Sequence, residues 1–211
     1  MIVHDCEQRS DAWFLLRLGI PTASNFDKIL TPGGKASTQA EAYMHTLLAE
    51  ILTGQQGGME SNAWMQRGTE LEPEGRGFYE LTTGNDVHEV GFITLDDGSA
   101  GCSPDGLIGD PGMLEMKVPA PHTHVGYLLS GELPSGYKPQ VQGQLWIAER
   151  EWCDFLSYSP LMPPVLIRVQ RDEKFIKALA SAMAKFTETM AAKREVLASR
   201  GILNKQESRH E

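Results

Sequence analysis

Residues Gly101 to Val118 read GCSPDGLIGDPGMLEMKV, and this stretch decides the fold. Leu114-Glu115-Met116-Lys117-Val118 alternates apolar and charged side chains, the period of a β-strand. Residues i and i+2 of a strand share a face. Glu115 and Lys117 therefore stand together on one surface of the sheet, with Leu114, Met116 and Val118 on the other, buried one. The turn Gly109-Asp110-Pro111-Gly112 joins this strand to an earlier strand-like run. Pairing of the two runs sets Asp105 across from Glu115. Pro104 cannot donate a ladder hydrogen bond and Gly106 tolerates unusual backbone angles, so the strand bends there and aims the Asp105 carboxylate out of the sheet. Two carboxylates and an ammonium are costly in an apolar stretch unless they have partners. The stretch is either a solvated surface hairpin, the default for an isolated D…ExK spacing, or a set of charges held for chemistry. Two carboxylates beside one ammonium suit a hard divalent cation, which takes oxygen ligands, keeps several waters and is completed by substrate phosphate.

Outward from this core the chain reads as helices, a strand cluster, a helix, two strands and a helix. Asp11 to Leu18 predicts a short helix, and a second helical segment restarts at Thr22 or Ser24, both good N-cap types. TPGGK (Thr31 to Lys35) is a loop, and the helix after it has Thr38 and Glu41 spaced as a capping box and Gly54 as its stop. Asn62 to Leu81 predicts a helix kinked or restarted at Pro73. VHEVGFITL, AGCSPDGLI and MLEMKV are strand-like, KPQVQGQLWIAER is helical, CDFLSYS and VLIRVQR are strands, and Asp172 caps a long helix to about Arg200. The pattern is α/β or α+β, a mixed central sheet flanked by helices. It reads as a single domain over residues 1–203, with a flexible tail at 204–211.

Three cysteines without metal-type spacing fit a reducing cytosol, and no apolar run is long enough to span a bilayer. The N-terminal residues lack the basic and apolar regions of a signal peptide. A net charge of -9 argues against nonspecific nucleic-acid binding by bulk charge, since that affinity comes from cations on phosphates. A local basic groove or a metal site can still overcome it. His122 and His124 resemble a metal pair but lack a further nitrogen or sulfur ligand, so a loop or helix-entry role is expected of them.

The whole set of motifs resembles the phage lambda-type exonucleases (YqaJ-like viral recombinases) of the PD-(D/E)XK nuclease superfamily. Gly101-Cys102-Ser103-Pro104-Asp105-Gly106 and Leu114-Glu115-Met116-Lys117 match its signature. Arg17-Leu18-Gly19 with Thr22-Ala23-Ser24, Arg67-Gly68-Thr69-Glu70-Leu71-Glu72 and Gln140-Val141-Gln142 match its other motifs in order, from about Trp13 to Lys174. The resemblance implies a PD-(D/E)XK nuclease-like fold and a catalytic set of Asp105, Glu115, Lys117, Gln140 and Glu72. It implies Mg²⁺ or Mn²⁺, two ions per site, on Asp105, Glu115 and the backbone carbonyl of Met116, with Gln140 by the attacking water. It further implies phosphate contacts from Arg17 and Ser24, a basic residue such as Lys35 for the terminal 5′-phosphate, and Met65 as a wedge between strands. Gln142 is expected to face solvent.

The activity implied is 5′→3′ digestion of one strand of linear duplex DNA from a free, preferably 5′-phosphorylated end. The 3′ overhang would pass to a single-strand annealing protein. A homotrimer ring, no membrane, and the cytoplasm of a bacterial host carrying phage or prophage complete the expectation. The rivals are a PD-(D/E)XK endonuclease of restriction or junction-resolving type, and a catalytically silent DNA-binding protein on the same fold.

Overall fold

The computed structural model describes residues 1–56 and 63–203, with the side chains of 63–65 left out. The decisive stretch forms two strands. β4 (Gly106–Ile108) runs antiparallel to β5 (Gly112–Lys117), with Gly106 opposite Leu114. β5 then runs parallel to β6 (Trp152–Ser157), which pairs antiparallel with β7 (Val165–Gln170). This four-stranded sheet is the mixed sheet expected from the sequence. The bend at Pro104 is real, and its consequence is larger than a kink. Upstream of it, β3 (Gly101–Cys102) leaves for a second, antiparallel sheet with β1 (Ile2–His4) and β2 (Phe92–Thr94). Asp105 therefore sits at the break between two sheets. β1 carries no pattern that distinguishes it from a loose N-terminus, and the sequence reading did not foresee it.

The helices cover both faces of the mixed sheet. α1 (Asp11–Arg17) is capped by Ser10, whose hydroxyl accepts the Trp13 N–H. α2 (Ala40–Thr53) ends at Gly54 in the left-handed region, as expected. The Thr38/Glu41 capping box does not form. The N-cap is Gln39, and Glu41 is drawn instead to Lys193 on the final helix. The Thr22–Ser24 segment makes a short 3-10 turn, Ala23–Lys28, without a side-chain cap. α3 (Ala63–Thr83) runs unbroken through Pro73, so tertiary packing overrides the expected restart. α4 (Pro121–Ser130) holds the two histidines in its first turn, the helix entry expected of them. α5 (Lys138–Ile147) starts as predicted but stops before Ala148-Glu149-Arg150, α6 (Glu173–Ser199) follows its predicted span, and Asp172 caps α6 by accepting the Phe175 N–H.

β5 is buried on both faces, which corrects the amphipathic reading. Leu114 and Met116 pack with Tyr79, Ile108, Leu156 and Tyr158 on the α3 side. Met113 packs with Val141, Leu145, Cys153 and Phe155 on the α5 side. A third cluster, with Phe26, Leu47, Ile93, Leu179 and Phe186 at its heart, joins α2 and α6 to the smaller sheet. Two glycines allow the close approaches. A side chain at Gly75 would run into Met116, and one at Gly143 into Phe26. The 204–211 tail lies outside the described residues.

Candidate active site

Asp105 is placed by the ladder itself: its N–H donates to the Leu114 carbonyl at 3.0 Å. Its carboxylate turns back along β5, where Oδ2 accepts the Met116 N–H at 2.5 Å. In a strand the N–H and C=O of one residue point to the same side, so the Met116 carbonyl faces the side where β4 has ended and Asp105 stands.

Glu115 lies under α5. It is only 2% exposed, the reverse of the surface position expected for it, because α5 covers that face of the sheet. Its burial is compensated by three donors. Lys117 Nζ and Gln140 Nε2 both donate to Oε1, the latter at 2.6 Å, and Gln144 Nε2 donates to Oε2 at 2.7 Å. Gln140 and Gln144 are one helical turn apart and so reach the same carboxylate from one face of α5. Gln144 lay outside every motif in the sequence reading. The signal that could have found it is the i, i+4 spacing from Gln140. Gln142, expected to face solvent, is buried. Its amide clamps the start of α6, donating to the Gln170 carbonyl and accepting the Asp172 N–H.

Burial and the Glu115 charge push the Asp105 carboxyl up to about 8. Burial opposes the Lys117 charge, but Glu115 and Asp105 outweigh it and raise the ammonium above its ordinary value. Two carboxylates thus share one ammonium in a desolvated space. That excess negative charge, with a carbonyl turned toward it, fits a hard divalent cation bound by few protein ligands. Among the described residues no group of three or more His, Cys, Asp or Glu closes into a metal cage. Asp105, Glu115 and the Met116 carbonyl are the donors available.

Glu72, on α3, lies near enough to Asp105 to raise its pKa further. Its Oε1 accepts from Arg9 Nη2 at 2.5 Å. Arg9 has a φ of 69°, in the left-handed region unusual for a side-chain-bearing residue. The loop around Arg9 is tied to the site. Gln8 Nε2 donates to the Val90 and Pro104 carbonyls at 2.8 and 2.9 Å, and Trp13 Nε1 donates to Ser103 Oγ at 2.8 Å. None of these three N-terminal contacts was legible as a motif. Arg17 stacks on Trp13 at 3.9 Å and is buried, with its Nε lacking a partner among the described residues. Burial draws its guanidinium pKa down to about 10. Tyr43 and Glu50 act against that shift.

Ser24 is exposed beside Thr22, their hydroxyls 3.3 Å apart. It shares a cleft of about 450 Å³ with Asp27, Tyr127, Tyr137 and Gln140. Lys117 Nζ lies 5.5 Å from the Tyr137 ring, so the cleft opens beside the Glu115 cluster. Lys35 is exposed on the Thr31–Lys35 turn and makes no contact with the cluster among the described residues. The Met65 side chain lies outside what the structure describes. His124 is fully buried between Ser157 Oγ, at 2.7 Å, and the Pro163 carbonyl, at 2.9 Å, while His122 is exposed. The pair forms no metal site.

Comparison with known proteins agrees with this geometry. Residues 12–151 match the model of the YqaJ-like viral recombinase domain. The alkaline exonuclease LHK-Exo from Laribacter hongkongensis is 38% identical, over 91% of this chain and 98% of its own, with a TM-score of 0.82. Its complex with dAMP gives a TM-score of 0.84 at the same identity and coverage. A phage related exonuclease from Haemophilus somnus 129PT shares the fold at 18% identity, over 83% of this chain and 96% of its own, with a TM-score of 0.62. No curated protein matches the chain. Among the described residues, no helix is long and apolar enough to cross a membrane.

Proposed function

The chain belongs to the YqaJ-like viral recombinase family and has a nuclease role, and from that premise we propose a metal-dependent exodeoxyribonuclease that digests one strand of linear duplex DNA 5′→3′. The observation that carries it is the buried Glu115 carboxylate, which takes the Lys117 and Gln140 donors on a single oxygen beside the Asp105 carboxylate.

Asp105, Glu115 and the Met116 carbonyl would hold Mg²⁺ or Mn²⁺, two ions in the full site. When bound, such ions activate water and offset the charge that builds on the phosphodiester. Lys117 and Gln140, already converging beside Glu115, orient the attacking water. Glu72, held by Arg9 beside Asp105, lies next to this centre. Arg17 and Ser24 take phosphate oxygens, since charge-assisted hydrogen bonds are the strong ones, and Lys35 receives the terminal 5′-phosphate. Met65 separates the terminal base pair. Residues 1–203 act as one domain, in a homotrimer ring around the duplex, within a phage-bearing bacterial cytoplasm. The 3′ overhang passes to a single-strand annealing protein.

The test is a time course on linear duplexes labelled at either end, beside a closed circle, with and without Mg²⁺. The reading expects metal-dependent release from the 5′ end, faster with 5′-phosphate than with 5′-hydroxyl, and an intact circle. Cutting of the circle selects the endonuclease reading. Metal-independent binding without cleavage selects the silent scaffold.

A further inference from the structure

We propose that Gln144 is a positioning residue that decides which oxygen of Glu115 is left open to the divalent cation; the inference rests on the metal-dependent reading above. A carboxylate offers about four lone-pair positions. Lys117 and Gln140 occupy Oε1, and Gln144 occupies one position on Oε2. The remaining position is on Oε2, and the Gln144 amide fixes how that oxygen is turned. Oε2 is thus the oxygen through which Glu115 would meet the cation, while Oε1 stays committed to Lys117 and Gln140.

The amide cannot serve in the opposite orientation, because its oxygen would then face a carboxylate oxygen with no proton between them. Its own Oε1 is buried and lacks a donor among the described residues. Gln142, on the same helix, is a contrast: both ends of its amide are used by the backbone. A glutamine retained for packing alone would have both ends satisfied or be replaced by an apolar side chain of the same volume, since an unmet buried acceptor is a cost. Gln144 is 1% exposed and keeps that cost in order to hold its NH₂ on Glu115. Partners that orient a metal ligand commonly change affinity for the ion by 10–100-fold when removed.

The experiment measures Mn²⁺ binding to the full chain without DNA, by the electron paramagnetic resonance signal of the free ion, together with the thermal midpoint and cleavage. Gln144→Met keeps length and volume and removes the donor. The Mn²⁺ dissociation constant should weaken by about 10–100-fold, with the metal-free thermal midpoint near that of the wild type, and raised Mn²⁺ should recover most of the cleavage rate. If Gln144→Met does not fold, Gln144→Asn, whose amide falls one methylene short of Glu115, should show the same loss. An unchanged Mn²⁺ constant in a folded variant overturns the proposal, as does a lowered thermal midpoint with metal dependence intact. A wild-type chain that neither binds Mn²⁺ nor cleaves overturns the metal-dependent reading itself, and this inference falls with it.

Discussion

Glu115 and Asp154 are both buried carboxylates on neighbouring parallel strands, one under each face of the same sheet. Leu114, not Glu115, stands beside Asp154 in the register, so the two acids point to opposite helices. Asp154 faces α3. Arg168 grips it through two bonds of 2.8 Å, and the Tyr79 hydroxyl donates to it at 2.7 Å. Arg168 in turn stacks on Trp152 at 3.7 Å. One anion meets one cation in a fork geometry, and the charge is closed. Glu115 faces α5 with two neutral amides and an ammonium that Asp105 also claims. Burial is equal; charge balance is not. The balanced acid belongs to the scaffold, and the unbalanced pair is where the proposed cation would sit.

The largest expected effect is at Lys117, the cation that the unbalanced side shares. Lys117→Ala should lower single-turnover cleavage of a 5′-phosphorylated duplex by about 10³-fold while circular dichroism reports a retained fold. Near-normal cleavage by a folded variant would collapse the distinction between the two acids. The matching change on the other side is Arg168→Ala. It leaves Asp154 buried without its counter-charge and should cost about 3 kcal/mol in urea unfolding, the low end for a broken buried pair, because the Arg168 side chain is 50% exposed. Cleavage per folded molecule should not move. Stability unchanged within error would show that Asp154 does not hold the scaffold.

Gly143→Ala couples the two sides. Its methyl would strike Phe26, which is fully buried, so α5 must shift at a cost of about 2 kcal/mol. The same shift withdraws Gln140 and Gln144 from Glu115, so cleavage should fall beyond the loss of folded protein. Full activity in the remaining folded fraction would mean that the seat of α5 does not set the site.

Tyr79→Phe is the smallest change, about 1 kcal/mol near neutral pH for one hydrogen bond to Asp154. Burial, then Asp154, pushes the Tyr79 hydroxyl up to about 12. The unfolded chain releases this proton near pH 10 while the folded chain keeps it. The contribution is therefore whole below pH 10 and is lost as pH rises toward 12. Unfolding free energy measured across that window should fall less steeply in Tyr79→Phe than in the wild type. Some slope should remain from Tyr43, which burial raises to about 12 as well.

What the sequence by itself determined was local and periodic. The strand at Leu114–Lys117, the Gly109–Gly112 turn, the Asp172 cap and the Gly54 stop each depend on a few neighbouring residues, and each stands in the structure. The pairing of Asp105 with the Glu115 strand was legible for the same reason, because a short turn leaves few registers open. Tertiary structure decided which faces were covered. Glu115 was read as facing outward because nothing in MLEMKV records that α5 will lie across it, and Gln142 was misread for the same reason. Gln8, Arg9 and Asp154 were invisible because each finds its partner far along the chain, where hydrogen-bond geometry and burial, not spacing, select the residue. Glu41 shows the competition directly: the local box with Thr38 was available, and a lysine more than a hundred residues away on α6 took the carboxylate instead.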